Sequence, residues 1–156
     1  MANEKVVNKR LESTKKYIDA LQDKYSKLNV VRVDLSYEKP YSDDITLDDA
    51  NSHFNRMLNN RRSKPSIFND QVGLIYKKEY TKDKGMHFHA MFFYNGQKTK
   101  DDIKKAIDIG TYWKEDITDR KGSYHNCNLK AKKVYGNKNG VGMIDHTDIK
   151  KRENLD

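Results

Sequence analysis

His87 and His89 flank Phe88 within an apolar run, Met86 to Tyr94, that is typical of a β-strand. Residues two apart on a strand project from the same face of the sheet, so both imidazoles point one way while Phe88 points into the opposite layer. Two neighbouring imidazoles make half of a site for a divalent metal. We therefore expect metal binding on this face; the alternative is a hydrogen-bonded pair of surface histidines.

A carboxylate is expected beside these histidines from the preceding strand. A second strand-like run ends at Tyr80, and a glycine-containing turn, residues 81–85, joins it to Met86. A turn of this length pairs Tyr80 with Met86 and sets Glu79 directly across from His87. The prediction depends on the register, because a slip of one residue would turn Glu79 to the other face.

Two helices and a strand are predicted before this hairpin. Apolar residues recur at four- and three-residue steps between Val7 and Leu28, which predicts an amphipathic helix over residues 1–28 that packs on the rest of the domain or on a partner helix. Residues 29–37 alternate between an apolar and a mostly polar face, as in a half-buried strand. The sequence from Thr46 to Asp49 is typical of a helix start, and the helix runs to about residue 60.

The second half of the chain has weaker patterns. A third helix is predicted from Thr99 onwards, with Ile103, Ala106, Ile107 and Trp113 on its buried face. Residues 118–140 are rich in Gly, Asn, Lys and Ser and are interpreted as loops with one short strand. Gly140–Asp145 predicts a final edge strand, and a last helix begins near Thr147 and is cut short at Asp156.

The order of these elements predicts the fold class. A helix followed by β-α-β-β-α-β indicates an α+β protein with an antiparallel, ferredoxin-like sheet and helices on one face. The sequence contains no repeat and no clear linker, so residues 1–156 are interpreted as one domain.

Composition narrows the class of protein. The chain has 156 residues with a formal net charge of +8, which favours an anionic partner such as nucleic acid. It has no apolar stretch of membrane-spanning length and no signal peptide pattern, so a cytoplasmic protein without membrane contact is expected. Its single cysteine, Cys127, excludes an internal disulfide framework and a cysteine-rich zinc site.

Several motifs occur in an order that resembles the inovirus-type replication proteins of filamentous phages and mobile elements, a family similar to the HUH (His-hydrophobe-His) rolling-circle initiators and relaxases. The resemblance covers roughly residues 29 to 156. It is carried by Arg32–Tyr37, Lys78–Tyr80, Lys84–Ala90, Phe92–Gly96, Tyr112 with Trp113, Tyr124 with Asn126 and Asn128, and Gly140–Asp145.

The resemblance implies a metal-dependent endonuclease that nicks and joins single-stranded or hairpin DNA at a replication origin. It implies Glu79, His87 and His89 as ligands of Mg²⁺ or Mn²⁺, which would polarise a phosphoryl oxygen. Two imidazoles also accept Zn²⁺ or Ni²⁺. Host replication proteins are implied as further partners, and the oligomeric state stays open.

The nucleophile is where this chain departs from the family. The family implies a Tyr-x-x-Lys motif on the helix after the last strand, which is the helix cut short here. Tyr135 and Lys138 formally match that motif and are the candidate catalytic pair; one alternative is that the family's nucleophile is missing here or lies beyond Asp156. Another alternative is that Tyr135 is an ordinary loop residue, because it lies among Gly and Asn without a helical pattern.

Basic residues interleaved with aromatic ones are typical of single-strand binding, in which bases stack on rings and cations follow the backbone. The alternative is that the rings face the core and the cations face water, or, at the end of the second helix, that they favour its negative carboxyl end. The candidate DNA-binding residues are Arg32, Arg61, Arg62, Lys77, Lys78, Lys130, Lys132 and Lys133.

Two other functions remain open from the sequence. A nicking-deficient DNA-binding regulator or accessory protein could use the same fold, and the early carboxyl terminus favours that hypothesis. A metal-independent RNA-binding protein would need exposed aromatic residues on the face that His87 and His89 occupy.

Overall fold

The computed structural model describes residues 4–128 and 142–145, and within them the side chains of residue 9 and residues 11–128. It is an α+β structure, as predicted. Its elements are α1 (Glu4–Lys24), β1 (Lys27–Tyr37), α2 (Leu47–Asn59), α3 (Pro65–Phe68), β2 (Gln71–Thr81), β3 (Gly85–Asn95), α4 (Asp102–Tyr112), which continues into a π-helical turn (Trp113–Ile117), β4 (Gly122–Asn126) and β5 (Gly142–Asp145).

The strands form one antiparallel sheet in the order β2-β3-β1-β4, and β5 also pairs with β1. β3 occupies one edge of β1, and β4 and β5 share the other. The short strand expected within residues 118–140 is β4, and the predicted final strand is β5. The last helix, expected from Thr147, lies outside the described residues.

The side chain of Asn128 fills the gap between β4 and β5 on the edge of β1. Its Oδ1 accepts a hydrogen bond from the backbone N–H of Arg32 at 2.6 Å, and its Nδ2 donates to the carbonyl of Val30 at 2.9 Å. Asn128 is buried, and its side chain satisfies two backbone groups of β1 at this gap.

One face of the sheet packs against α2, α3 and α4 and contains the larger core. The helix α2 begins as predicted, with Thr46 and Asp49 forming a reciprocal capping box. Phe54 of α2 stacks on Phe88 of β3 with ring centroids 4.4 Å apart, which anchors β3 between its two histidines. On α4 the buried face differs from the prediction, because Ile107 is 42% exposed.

The helix α1 packs on the opposite face, against a smaller cluster formed by Ile18, Leu28, Val30 and Phe93. The predicted helix over residues 1–28 is therefore too long: α1 ends at Lys24, and Leu28 reaches the same cluster from β1. The β-branched residues that follow Leu28 favour a strand, and pairing with β3 extends that strand back to Lys27. None of the described helices has the length and apolar character needed to span a bilayer.

Candidate metal centre

The hairpin of β2 and β3 has the predicted register. Tyr80 pairs with Met86 and Glu79 with His87, so Glu79 shares a face with both histidines. One ligand atom from each of Glu79, His87 and His89 lies within 4.8 Å of the other two. The carboxylate is 3.8 Å from Nε2 of His87 and 3.4 Å from Nε2 of His89.

The outer nitrogen of each imidazole is held by a hydrogen-bond acceptor. Nδ1 of His89 lies 2.8 Å from Oδ1 of Asp34, and Nδ1 of His87 lies 3.0 Å from the carbonyl oxygen of Gly85. Because both acceptors lack a proton to donate, each Nδ1 carries the hydrogen, and Nε2 of each ring faces Glu79. This is the arrangement found around metal-ligating histidines.

Gly85 is required where it stands. Its φ is +69°, and a Cβ added there would lie 2.8 Å from the backbone oxygen of Ser42. The absence of a side chain lets the turn after β2 pack on residues 41–43 and aims the Gly85 carbonyl at His87. Sequence reasoning gave this glycine only a role in the turn.

The spacing of the three ligand groups fits a small divalent cation. An ion ~2.1 Å from each ligand atom places adjacent ligands about 3.0 Å apart and opposite ligands about 4.2 Å apart. The observed separations therefore need only a small inward movement of side chains. His87 is buried and anchored, whereas Glu79 and His89 are each about one-third exposed, at 35% and 36%. The cluster is thus reachable from solvent on one side.

Sequence reasoning missed Asp34. The alternation along residues 29–37 places Asp34 on the polar face of β1, but only the long-range register, which pairs Asp34 with His89, shows that it meets a histidine. No local turn fixes that register. The sequence did place an acidic residue on the polar face of a strand predicted for the same sheet, and this could have suggested Asp34 as a partner of the histidines.

Two clefts border the cluster on this face. The first, here called the α1 groove, has a volume of about 1060 Å³ and lies between α1 and the sheet; its lining includes Lys9, Arg32, Ile75, Lys77 and Met91. The second, the polar cleft, has a volume of about 480 Å³ and is bordered by Asp34, Lys39, Ser42, Lys84 and His125 together with both cluster histidines.

The structure separates the candidate DNA-binding residues into groups. Arg32 and Lys77 line the α1 groove beside the cluster. Lys78 points to the opposite layer, where its Nζ bonds Oδ1 of Asn51 at 2.7 Å. Arg61 bonds the carbonyl of Leu58 near the end of α2 and Oε1 of Gln71, and Arg62 lies next to it, away from the cluster.

The candidate catalytic pair Tyr135 and Lys138 lies outside the described residues, as do Lys130, Lys132 and Lys133. Of the tyrosines that the structure describes, Tyr37 borders the polar cleft, but its hydroxyl lies 2.7 Å from Nδ1 of His53 on the far layer. Burial raises the pKa of Tyr37 well above its usual value, so this hydroxyl stays protonated. Tyr37 is therefore a poor substitute for the expected nucleophile.

The cysteine near the site is not prepared to act as a ligand. Burial, together with the negative charge of Asp34, raises the pKa of the Cys127 thiol to about 11. The thiolate form that binds metals is thus rare near neutral pH. The cluster remains one of nitrogen and oxygen donors, which favours ions such as Mg²⁺ and Mn²⁺ while allowing metals that prefer imidazole.

The YagK/YfjJ C-terminal domain family matches the chain over residues 1–136. The matched range contains the whole sheet face described above apart from β5. No curated protein and no solved structure matches the chain. The family description names a domain without an activity, so function has to be argued from the site.

Proposed function

We propose that this chain, which belongs to the YagK/YfjJ C-terminal domain family, is a metal-dependent endonuclease that nicks and joins single-stranded DNA by HUH-type chemistry. It would act in the cytoplasm as the replication initiator of a phage or mobile element. Mg²⁺ or Mn²⁺ is the proposed cofactor.

The observation that carries the proposal is the pairing of two oriented imidazoles with a carboxylate. Both Nε2 atoms face Glu79 while both Nδ1 atoms are held from behind. With the hydrogen on each Nδ1, the two Nε2 atoms and the carboxylate form a set of nitrogen and oxygen donors around one space, and such a set would stabilise a divalent cation.

The topology supports the same proposal. The strand order β2-β3-β1-β4, with α2 between β1 and β2 and α4 between β3 and β4, supports a split β-α-β arrangement of the ferredoxin-like kind. Of the motifs that resemble inovirus-type replication proteins, Arg32–Tyr37 lies on β1, Lys78–Tyr80 on β2, and Lys84–Ala90 on the turn and the first part of β3, around the cluster. The net charge of +8 favours an anionic substrate.

In the proposed reaction, His87, His89 and Glu79 would hold a divalent ion, which would supply charge stabilisation at a phosphoryl oxygen. Asp34 and the Gly85 carbonyl keep the rings oriented. The hydroxyl of Tyr135 attacks phosphorus, a bond forms between the tyrosine oxygen and phosphorus, and the bond from phosphorus to the 3′ oxygen breaks. The tyrosine proton ends on that 3′ oxygen. Lys138 is the proposed partner of Tyr135.

The test is a covalent-adduct assay. The protein is incubated with a labelled library of single-stranded and hairpin oligonucleotides and Mn²⁺, and products are separated on a denaturing gel. We expect a shifted protein–DNA band that disappears with chelator, in a His87→Ala/His89→Ala variant and in Tyr135→Phe. The control is His125→Ala, which removes an exposed histidine that borders the polar cleft but contributes no atom to the cluster; its adduct should persist.

Each outcome has a definite consequence. An adduct of full yield in the double histidine variant would refute the metal centre as its cause. An adduct of full yield in Tyr135→Phe would transfer the nucleophile to another residue. Tight DNA binding with neither adduct nor cleavage would overturn the nuclease proposal in favour of a DNA-binding regulator on this fold.

A further inference from the structure

The α1 groove adjoins the metal centre directly. Its sheet wall includes Ile75 and Met91, which face each other across β2 and β3. Met91 follows His89 by two residues on the same face, a step of about 6.6 Å along the strand. On β1, Arg32 stands at the same distance from Asp34. The groove therefore begins two residues along β1 and β3 from the side chains of the cluster.

The lining combines an apolar surface with surrounding cations. Ile75 and Met91 give a half-buried apolar patch, while Lys9, Arg32 and Lys77 bring three positive charges to the groove. Asp34 is the acidic residue that lines it, and its carboxylate is bonded to His89. A groove of about 1060 Å³ is of the size that binds small organic groups in proteins.

An apolar patch surrounded by cations favours some ligands of the groove over others. An apolar peptide would satisfy Ile75 and Met91 but would offer no anion to Lys9, Arg32 or Lys77, of which Lys77 already lies 3.6 Å from the carboxylate of Glu79. A duplex presents its phosphates outside and its bases stacked within, so it would not place a base between α1 and the sheet. An unpaired nucleotide supplies both a flat apolar base and an anionic backbone.

We infer that the α1 groove binds an unstacked nucleobase of a single DNA strand, next to the phosphate held at the metal centre, with Arg32 and Lys77 contacting the flanking backbone. The inference rests on the proposed function and adds the position of the DNA strand on the protein surface. It makes α1 part of the substrate site, because Lys9, Ser13 and Thr14 form the wall opposite the sheet.

The first test measures binding in chelator, so that neither metal nor cleavage contributes. The probe is a fluorescent thymidine oligomer of about twelve nucleotides, which is within the range of single-strand binding sites. Lys77→Ala is compared with Lys78→Ala, and Arg32→Ala with Arg62→Ala. Each of the four variants loses one positive charge, but only the first residue of each pair lines the groove. We expect a loss of affinity of about 3- to 10-fold and a salt slope smaller by about one for Lys77→Ala and Arg32→Ala, and changes within about twofold for the controls.

The second test isolates the base. An abasic oligomer of the same length and charge should bind at least about 10-fold more weakly than the thymidine oligomer, because it lacks the bases that would contact the apolar patch. Met91→Gln, which makes the groove polar, should reduce this preference to about threefold or less. Met91→Leu should retain it, and Ile107→Gln, at an exposed position on α4, is the matched control.

Equal losses within both charge pairs, equal binding of the two oligomers, or an unchanged base preference in Met91→Gln would each overturn the inference. These results are independent of nicking. An adduct without base preference would refute the groove and keep the nuclease, whereas base preference without an adduct would keep the groove and refute the nuclease.

Discussion

Removal of the Asp34 carboxylate should weaken metal binding without removing a ligand. The carboxylate holds Nδ1 of His89 at 2.8 Å and so keeps Nε2 aimed at Glu79. Partners of this kind contribute about 10- to 100-fold to metal affinity. The side chains of Asp34 and His89 are 33% and 36% exposed, so water replaces part of the lost bond. We therefore expect about a 10-fold loss in Asp34→Ala, or about 1.4 kcal/mol.

Asp34→Asn separates orientation from charge. Its amide oxygen still accepts the hydrogen of Nδ1, but the bond loses its charge assistance, which accounts for roughly half of its strength. The expected loss is about threefold. Calorimetric titration with Mn²⁺ near neutral pH and at low salt measures both variants, and circular dichroism checks that each remains folded.

Asp83→Asn is the matched control for this experiment. Asp83 is an exposed carboxylate at the hairpin turn, borders the polar cleft and lies outside the cluster. It changes the net charge as Asp34→Asn does, and we expect an affinity within twofold of the parent. An equal loss in Asp83→Asn, or an Asp34→Ala affinity within twofold of the parent, would refute orientation by Asp34.

Three further outcomes follow from the geometry. Asn128→Ala leaves one buried and one part-buried backbone group of β1 without their partners and should lower the free energy of unfolding in urea by about 2–4 kcal/mol; a change below about 1 kcal/mol would contradict this role. Gly85→Ala places a Cβ 2.8 Å from the backbone oxygen of Ser42 at a φ of +69°, so it should lower both the Mn²⁺ affinity and the free energy of unfolding. An unchanged Mn²⁺ affinity would count against orientation of His87 by the Gly85 carbonyl. Burial lowers the pKa of His53 below 6.5, so the unfolded chain takes up the proton first, and stability should fall as pH drops from about 6.5 towards the folded pKa. Denaturation at several pH values should show this slope reduced in His53→Gln; an identical slope would assign it to other groups.

Local patterns predicted the parts of the site that lie close in sequence. The five-residue turn fixed the pairing of Glu79 with His87, and the Thr46–Asp49 capping box fixed the start of α2. Both depend on contacts between residues only a few positions apart.

The parts that depend on long-range pairing could not be predicted. Asp34 meets His89 only because β1 pairs with β3 across 55 residues, and Asn128 reaches β1 across 96. Lys77 and Lys78 could not be told apart from the sequence either. As neighbours on a strand they point to opposite faces of the sheet, and the sequence does not show which face carries the cluster. Tertiary packing decides that difference.

The two sides of the proposed metal centre differ in how firmly they are held. His87 and His89 belong to β3, which is paired on both edges, whereas Glu79 belongs to β2, which pairs only with β3 in the described part of the chain. An ion shared by both strands would cross-link them and oppose fraying of β2. Metal binding should therefore appear as slower amide exchange along β2, and the mobility of that edge would let one cluster adjust to ions of different radius.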